Sequence, residues 1–199
     1  MDFWRTLLWV PRLILVALIL IRLDHLRRGK QFAREELTNK PSSDVPYLLI
    51  EGAFLAASFT VVEPFFGWVG TGPLPLAAAN FFFLMSIVIH ELGHALRLYE
   101  SMIFHFSAHT SISFCIGVQV YFGLFQGAIS LPAYFTTAGI VFAVGVVWEY
   151  LEMYGTEYMD TQAWYHNWDM VLDIVGNTLG GLLAVLLAHA MLTGIVPVG

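Results

Sequence analysis

The sequence predicts an all-α fold, a polytopic transmembrane bundle of about six helices, and three observations carry that prediction. The 199 residues are 58% hydrophobic and only 12% charged, with a mean hydropathy of +0.71, far from the mixture that solvates a soluble domain. Apolar runs recur at lengths near those needed to cross about 30 Å of hydrocarbon. Turn signals separate them: Pro41-Ser-Ser-Asp, Glu63-Pro, Gly70-Thr-Gly-Pro, Gly127 with Pro132, and Gly155-Thr.

The first run has an apolar centre like that of a secretory signal. Its positive charges follow that centre and no small-residue cleavage site appears, so a retained helix is expected over Leu7–Leu23. Pro11 and Arg12 weigh against it, since an arginine at mid-bilayer costs roughly 2.5–3.5 kcal/mol, and a shorter interfacial helix from Leu13 is the alternative. The later helices are expected at Tyr47–Val62, Leu74–Leu98, Ser107–Gln126, Leu131–Tyr154 and Trp168–Leu192. There is no internal repeat. Residues 1–199 read as a single membrane domain, with a polar loop at 24–45 and a core bundle at 74–192.

The net charge of -6 hides a strong asymmetry: eight of the nine Lys and Arg lie between Arg5 and Lys40, and only Arg97 follows. No basic surface is left for nucleic acid. The segment Asp24–Asp44 carries Arg27, Arg28, Lys30, Arg34 and Lys40, and the positive-inside rule makes it cytoplasmic. A prokaryotic plasma (inner) membrane is the expected location. Cys115 lies alone in an apolar stretch and reads as packing.

Alternating crossings then place four polar pairs on one side of the bilayer. These are His90 with Glu91 and His94, His105 with His109, Glu149 with Glu152, and Asp169 with Asp173 followed by Asn177. Positions three or four apart share a helix face, and all of these lie within roughly 12 Å of the same interface at about 1.5 Å per residue. Unpaired carboxylates in hydrocarbon are expensive, so they must be protonated, hydrated, paired or bound to a cation. Histidine nitrogens and carboxylate oxygens are ligands for zinc, iron or manganese, so a divalent metal is the expected cofactor. The purely structural alternative is that such groups hydrate at helix ends or hydrogen-bond between helices.

His90-Glu91-Leu92-Gly93-His94 is the strongest short motif, because HExxH on a helix sets two imidazoles side by side with a glutamate next to the metal's water. It is similar to the zinc motif of intramembrane site-2 metalloproteases, in which a distant aspartate, here Asp173, completes the site. The surrounding chain does not share that likeness. Gly176, Gly180 and Gly181 permit close helix approach. The aromatic stretches Phe81-Phe82-Phe83 and Phe65-Phe66-Gly-Trp68 read as lipid contact, and no glycine-rich phosphate loop is present.

From Phe142 through Trp148-Glu149-Tyr-Leu-Glu152, then Asp160-Thr-Gln and Asp169-Met-Val-Leu-Asp173-Ile-Val-Gly-Asn177-Thr-Leu-Gly180, the chain resembles the YjdF-type membrane proteins. These are known as domain of unknown function 2238. The likeness is greatest to their archaeal members and extends to VanZ-like membrane proteins, spanning roughly His90 to Ala188. It implies that His109, Glu149, Glu152, Asp173 and Asn177 share one polar site. Where such proteins carry aspartate four residues before the matching histidine, this chain has His105, and Glu91 and His94 are additions to the pattern. The family supplies no established reaction, and VanZ-like proteins are linked to glycopeptide tolerance and the cell envelope.

The leading expectation is a cytoplasmic-facing His/carboxylate cavity that binds a metal and acts on a membrane lipid or lipid-linked substrate. In a hydrolytic version His90, His94, His105, His109, Glu152, Asp169 and Asp173 supply the candidate ligands. Glu91 or Glu149 takes a proton and Asn177 orients a ligand. The rivals are an intramembrane zinc protease built on His90-Glu91-Leu92-Gly93-His94, a proton or cation pathway, and an accessory subunit of a membrane complex.

Overall fold

The structure, a computed structural model, describes residues 3–28, 48–49, 52–53, 55–56, 59, 74–96, 98, 101–157 and 163–194. At 25, 94–95, 151–157 and 163–169 the description extends to the backbone alone. Every regular element among the described residues is helical: α1 (Phe3–Leu7), α2 (Trp9–Arg27), α3 (Leu76–Ala95), α4 (Met102–Phe125), α5 (Leu131–Glu157) and α6 (Ala163–Leu192). Among them are five spans long and apolar enough to cross a membrane: Phe3–Asp24, Leu76–Gly93, Met102–Phe125, Leu131–Tyr150 and Met170–Leu192.

The first span is one helix with a seam. Pro11 has no N–H to offer the carbonyl of Leu7, so the helical hydrogen-bond ladder lapses at Leu8, whose backbone stays right-handed at φ -59° and ψ -25°. Arg12 is accommodated by aromatic faces, its guanidinium carbon lying 3.9 Å from the Phe59 ring centroid and 5.5 Å from that of Trp9. The helix therefore starts before the apolar run at Leu7 and ends after Leu23, with Arg5 and Arg27 at its two ends.

The expected helix Tyr47–Val62 lies largely outside the described residues. Positions 48–49, 52–53, 55–56 and 59 are helical, and Phe59 rests on Trp9 with ring centroids 6.3 Å apart. The polar loop beyond Arg28 is also outside the described residues.

One face of the first span is buried, at Leu8, Pro11, Leu15, Leu18 and Arg22, a three-four spacing that makes a single stripe. Leu8 and Leu15 pack with Leu84 and Val88 of α3. Trp4 meets Phe81 and Phe82 near the start of α3, and Arg22 meets Glu91 near its end, so α2 and α3 run parallel. Both therefore finish on the side from which residues 24–45 leave, here called the loop face.

Helix α4 is central, touching α3, α5 and α6, and its closest partner is α6. Glycine makes that approach possible. A Cβ at Gly176 would lie 3.2 Å from the Phe106 carbonyl, and one at Gly180 would strike the Thr110 carbonyl and come within 2.8 Å of the Phe114 nitrogen. Among the described side chains of α5 the buried residues are Ala133, Thr137, Val141, Gly145 and Glu149, a strict four-residue repeat. That repeat is the ridge that small residues present in close helix crossings.

Candidate intramembrane polar site

The site forms where α4, α5 and α6 approach the loop face. Ser101, extended at φ -90° and ψ 116°, starts α4 before the expected Ser107, so His105 and His109 both sit on regular helix, four residues apart. His105 Nε2 lies 3.1 Å from His109 Nε2 and 3.5 Å from Asp173 Oδ2, and His109 Nε2 lies 3.6 Å from Asp173 Oδ1. The other ring nitrogen of His109, Nδ1, faces Glu149 Oε1 at 3.5 Å. His109, Glu149 and Asp173 are buried, and His105 is partly so.

One turn deeper, the Ser113 hydroxyl donates to Asn177 Oδ1 at 2.7 Å. Gly145 makes room for this amide, since a Cβ there would sit 2.7 Å from Asn177 Nδ2. Thus α4 contributes His105, His109 and Ser113, α5 contributes Glu149, and α6 contributes Asp173 and Asn177.

The nearest nitrogen and oxygen atoms of His105, His109 and Asp173 lie close to the spacing of neighbouring metal ligands. Bonds of about 2.1 Å in tetrahedral geometry put neighbouring ligands about 3.4 Å apart. The observed separations of 3.1, 3.5 and 3.6 Å bracket that value, with Asp173 presenting a different oxygen to each histidine. Among the described residues, His105, His109 and Asp173 form the one group of three such side chains whose ligand atoms lie within 4.8 Å of each other. Two imidazole nitrogens facing each other at 3.1 Å need a proton on one, or a cation between them.

The other residues singled out in the sequence fall elsewhere. Glu91 is 2% exposed and accepts from Arg22 Nη2 at 3.1 Å, while His90 Nδ1 lies 3.3 Å from the second carboxylate oxygen. His90 also sets its ring edge-on to Trp148, centroids 6.2 Å apart. The side chains of His94, Glu152 and Asp169 lie outside the described residues.

Two partners are not singled out by the sequence. Ser113 is hidden in an apolar run, although it continues the four-residue series His105, His109, Ser113, Gly117. Arg22 groups by position with the loop charges, although it continues the stripe of Leu8, Leu15 and Leu18.

A bundle of membrane-length helices with buried histidines, carboxylates and an amide gathered at one end is a polytopic integral membrane protein with an intramembrane polar site. Residues 52–194, more than half of the chain, match the family described as Predicted membrane protein (DUF2238), and the chain belongs to that family. No curated protein and no solved structure matches it.

Proposed function

We propose that His105, His109 and Asp173 hold a divalent metal (zinc, iron or manganese) and that the pocket acts on a lipid or lipid-linked substrate reached from the bilayer. The observation that carries this reading is the convergence of three ligand-bearing side chains from α4 and α6, with one ligand atom from each within 4.8 Å of the others. A metal bound there supplies Lewis acidity and eases deprotonation of water. Glu149, beside His109, is the residue positioned to take a proton. Asn177, oriented by Ser113 and confined by Gly145, is the group that would fix a polar part of the substrate.

A lipid substrate suits the surroundings: Trp148 and Tyr150 flank Glu149 in sequence and are 47% and 59% exposed, so the outer face of α5 meets acyl chains beside the pocket. We place the loop 24–45 in the cytoplasm of a prokaryote, with the pocket facing it. Within the family we place the chain near the archaeal members and the VanZ-like proteins, on its W-E-x-x-E and D-x-x-x-D-x-x-x-N-T-x-G strings alone.

The test is the metal content of protein purified in detergent without chelators. Near one metal per chain is expected, lost in Asp173→Asn and His109→Ala; sub-stoichiometric metal in the parent rejects the reading. A second reading has support from the polar contacts that run inward from His105 through His109 and Asp173, with Asn177 and Ser113 one turn deeper: a proton or cation pathway. Flux into proteoliposomes under an imposed gradient is its test, and no flux removes it.

A further inference from the structure

We propose that the His90-Glu91 end of the HExxH-type string is a clamp that locks the N-terminal helix to α3, and that Glu91 serves neither as metal ligand nor as proteolytic base. Arg22 is 0% exposed and Glu91 2%, and their 3.1 Å contact joins positions 69 residues apart. Each group is costly to bury alone in a membrane span, and each is the counter-charge of the other. Glu91 gives one carboxylate oxygen to Arg22, and the other lies against His90. Both carboxylate oxygens are thus turned to partners within the clamp, away from the His105, His109 and Asp173 group.

Position in the stripe strengthens the assignment. Arg22 closes the buried series Leu8, Leu15, Leu18, and Glu91 closes the series Leu84, Val88 on the facing helix. Leu8 and Leu15 pack with Leu84 and Val88, and the ion pair lies beyond them toward the loop face. It adds a directional contact to the apolar packing and so opposes rotation or sliding of α2 against α3.

The test compares Arg22→Met, Glu91→Leu and the double variant with the parent in detergent, by thermal melting and by metal content. A clamp predicts that each single variant breaks the buried ion pair and lowers the melting temperature by roughly 10 °C. The double variant replaces the pair with apolar packing and recovers to within a few degrees of the parent, with parent-like metal content. Single variants that melt like the parent overturn the clamp, and so does a double variant no more stable than the singles. Loss of metal in a double variant that melts like the parent overturns the exclusion of Glu91 from the metal centre. If the parent itself holds no metal, the melting comparison still decides the clamp, and cleavage of a membrane-anchored substrate decides the base: cleavage by the parent that is abolished in the stable double variant contradicts the proposal.

Discussion

His109 touches three of the other polar residues of the site, reaching His105 and Asp173 through Nε2 and Glu149 through Nδ1. That double engagement fixes its ring, and an imidazole that ligates through one nitrogen while the other meets a carboxylate is the arrangement that strengthens metal binding. Glu149→Gln is therefore expected to keep the metal but weaken its affinity by roughly 10-fold or more, read by competition with a chelating dye. Acidification is expected to empty the site, because only neutral imidazole ligates and protons compete for the same nitrogens; metal retained unchanged at low pH contradicts the ligand set. At this scale the sequence is informative where residue type and spacing agree, as for His105, His109, Asp173 and Asn177. It is silent on the pairing of Arg22 with Glu91, which spans 69 positions and depends on two helices meeting in parallel.

Between elements, the α4–α6 seam decides whether the site exists. Gly176 and Gly180 bring the two backbones close enough for Asp173 to face the histidines one turn toward the loop face and for Asn177 to reach Ser113. Gly180→Val is expected to push the helices apart, because a Cβ there already meets the Thr110 carbonyl and the Phe114 nitrogen. Its melting temperature and metal content should fall together. Gly139, where a Cβ would find nothing within 4 Å, is the control: Gly139→Ala should leave both unchanged or raise stability slightly. Apolar length and turn residues locate the spans well, since α5 begins at Leu131 and α6 ends at Leu192, as expected from the apolar runs. Boundaries near the loop face differ: α4 begins at Met102, ahead of the expected Ser107, and α5 continues through the polar Gly155-Thr-Glu157. Hydropathy records where lipid ends, whereas hydrogen bonding determines where the helix ends.

At the scale of the molecule, parallel α2 and α3 and the loop-face gathering of His109, Glu149 and Asp173 define one polar end of the bundle. The opposite end closes with the stacked Tyr121 and Tyr134, the latter 2.7 Å from His189 Nδ1. Cysteines placed at residue 36 and at residue 128, in a Cys115→Ala background, are expected to label from opposite sides of sealed vesicles, with residue 36 on the cytoplasmic side. Labelling of both from one side contradicts the crossing pattern. Alternating crossings bring these acids and histidines to one end of the bundle whichever way it faces, and that much is legible in the sequence. Which of the four polar pairs converge is not legible, because helices that end on the same face still have to be rotated toward one another. An experimental density map of protein supplied with zinc decides the metal centre. A single strong feature is expected about 2.0–2.2 Å from His105 Nε2, His109 Nε2 and an Asp173 oxygen. Side chains that converge around water alone, or a metal bound at His90 and His94 instead, contradict it.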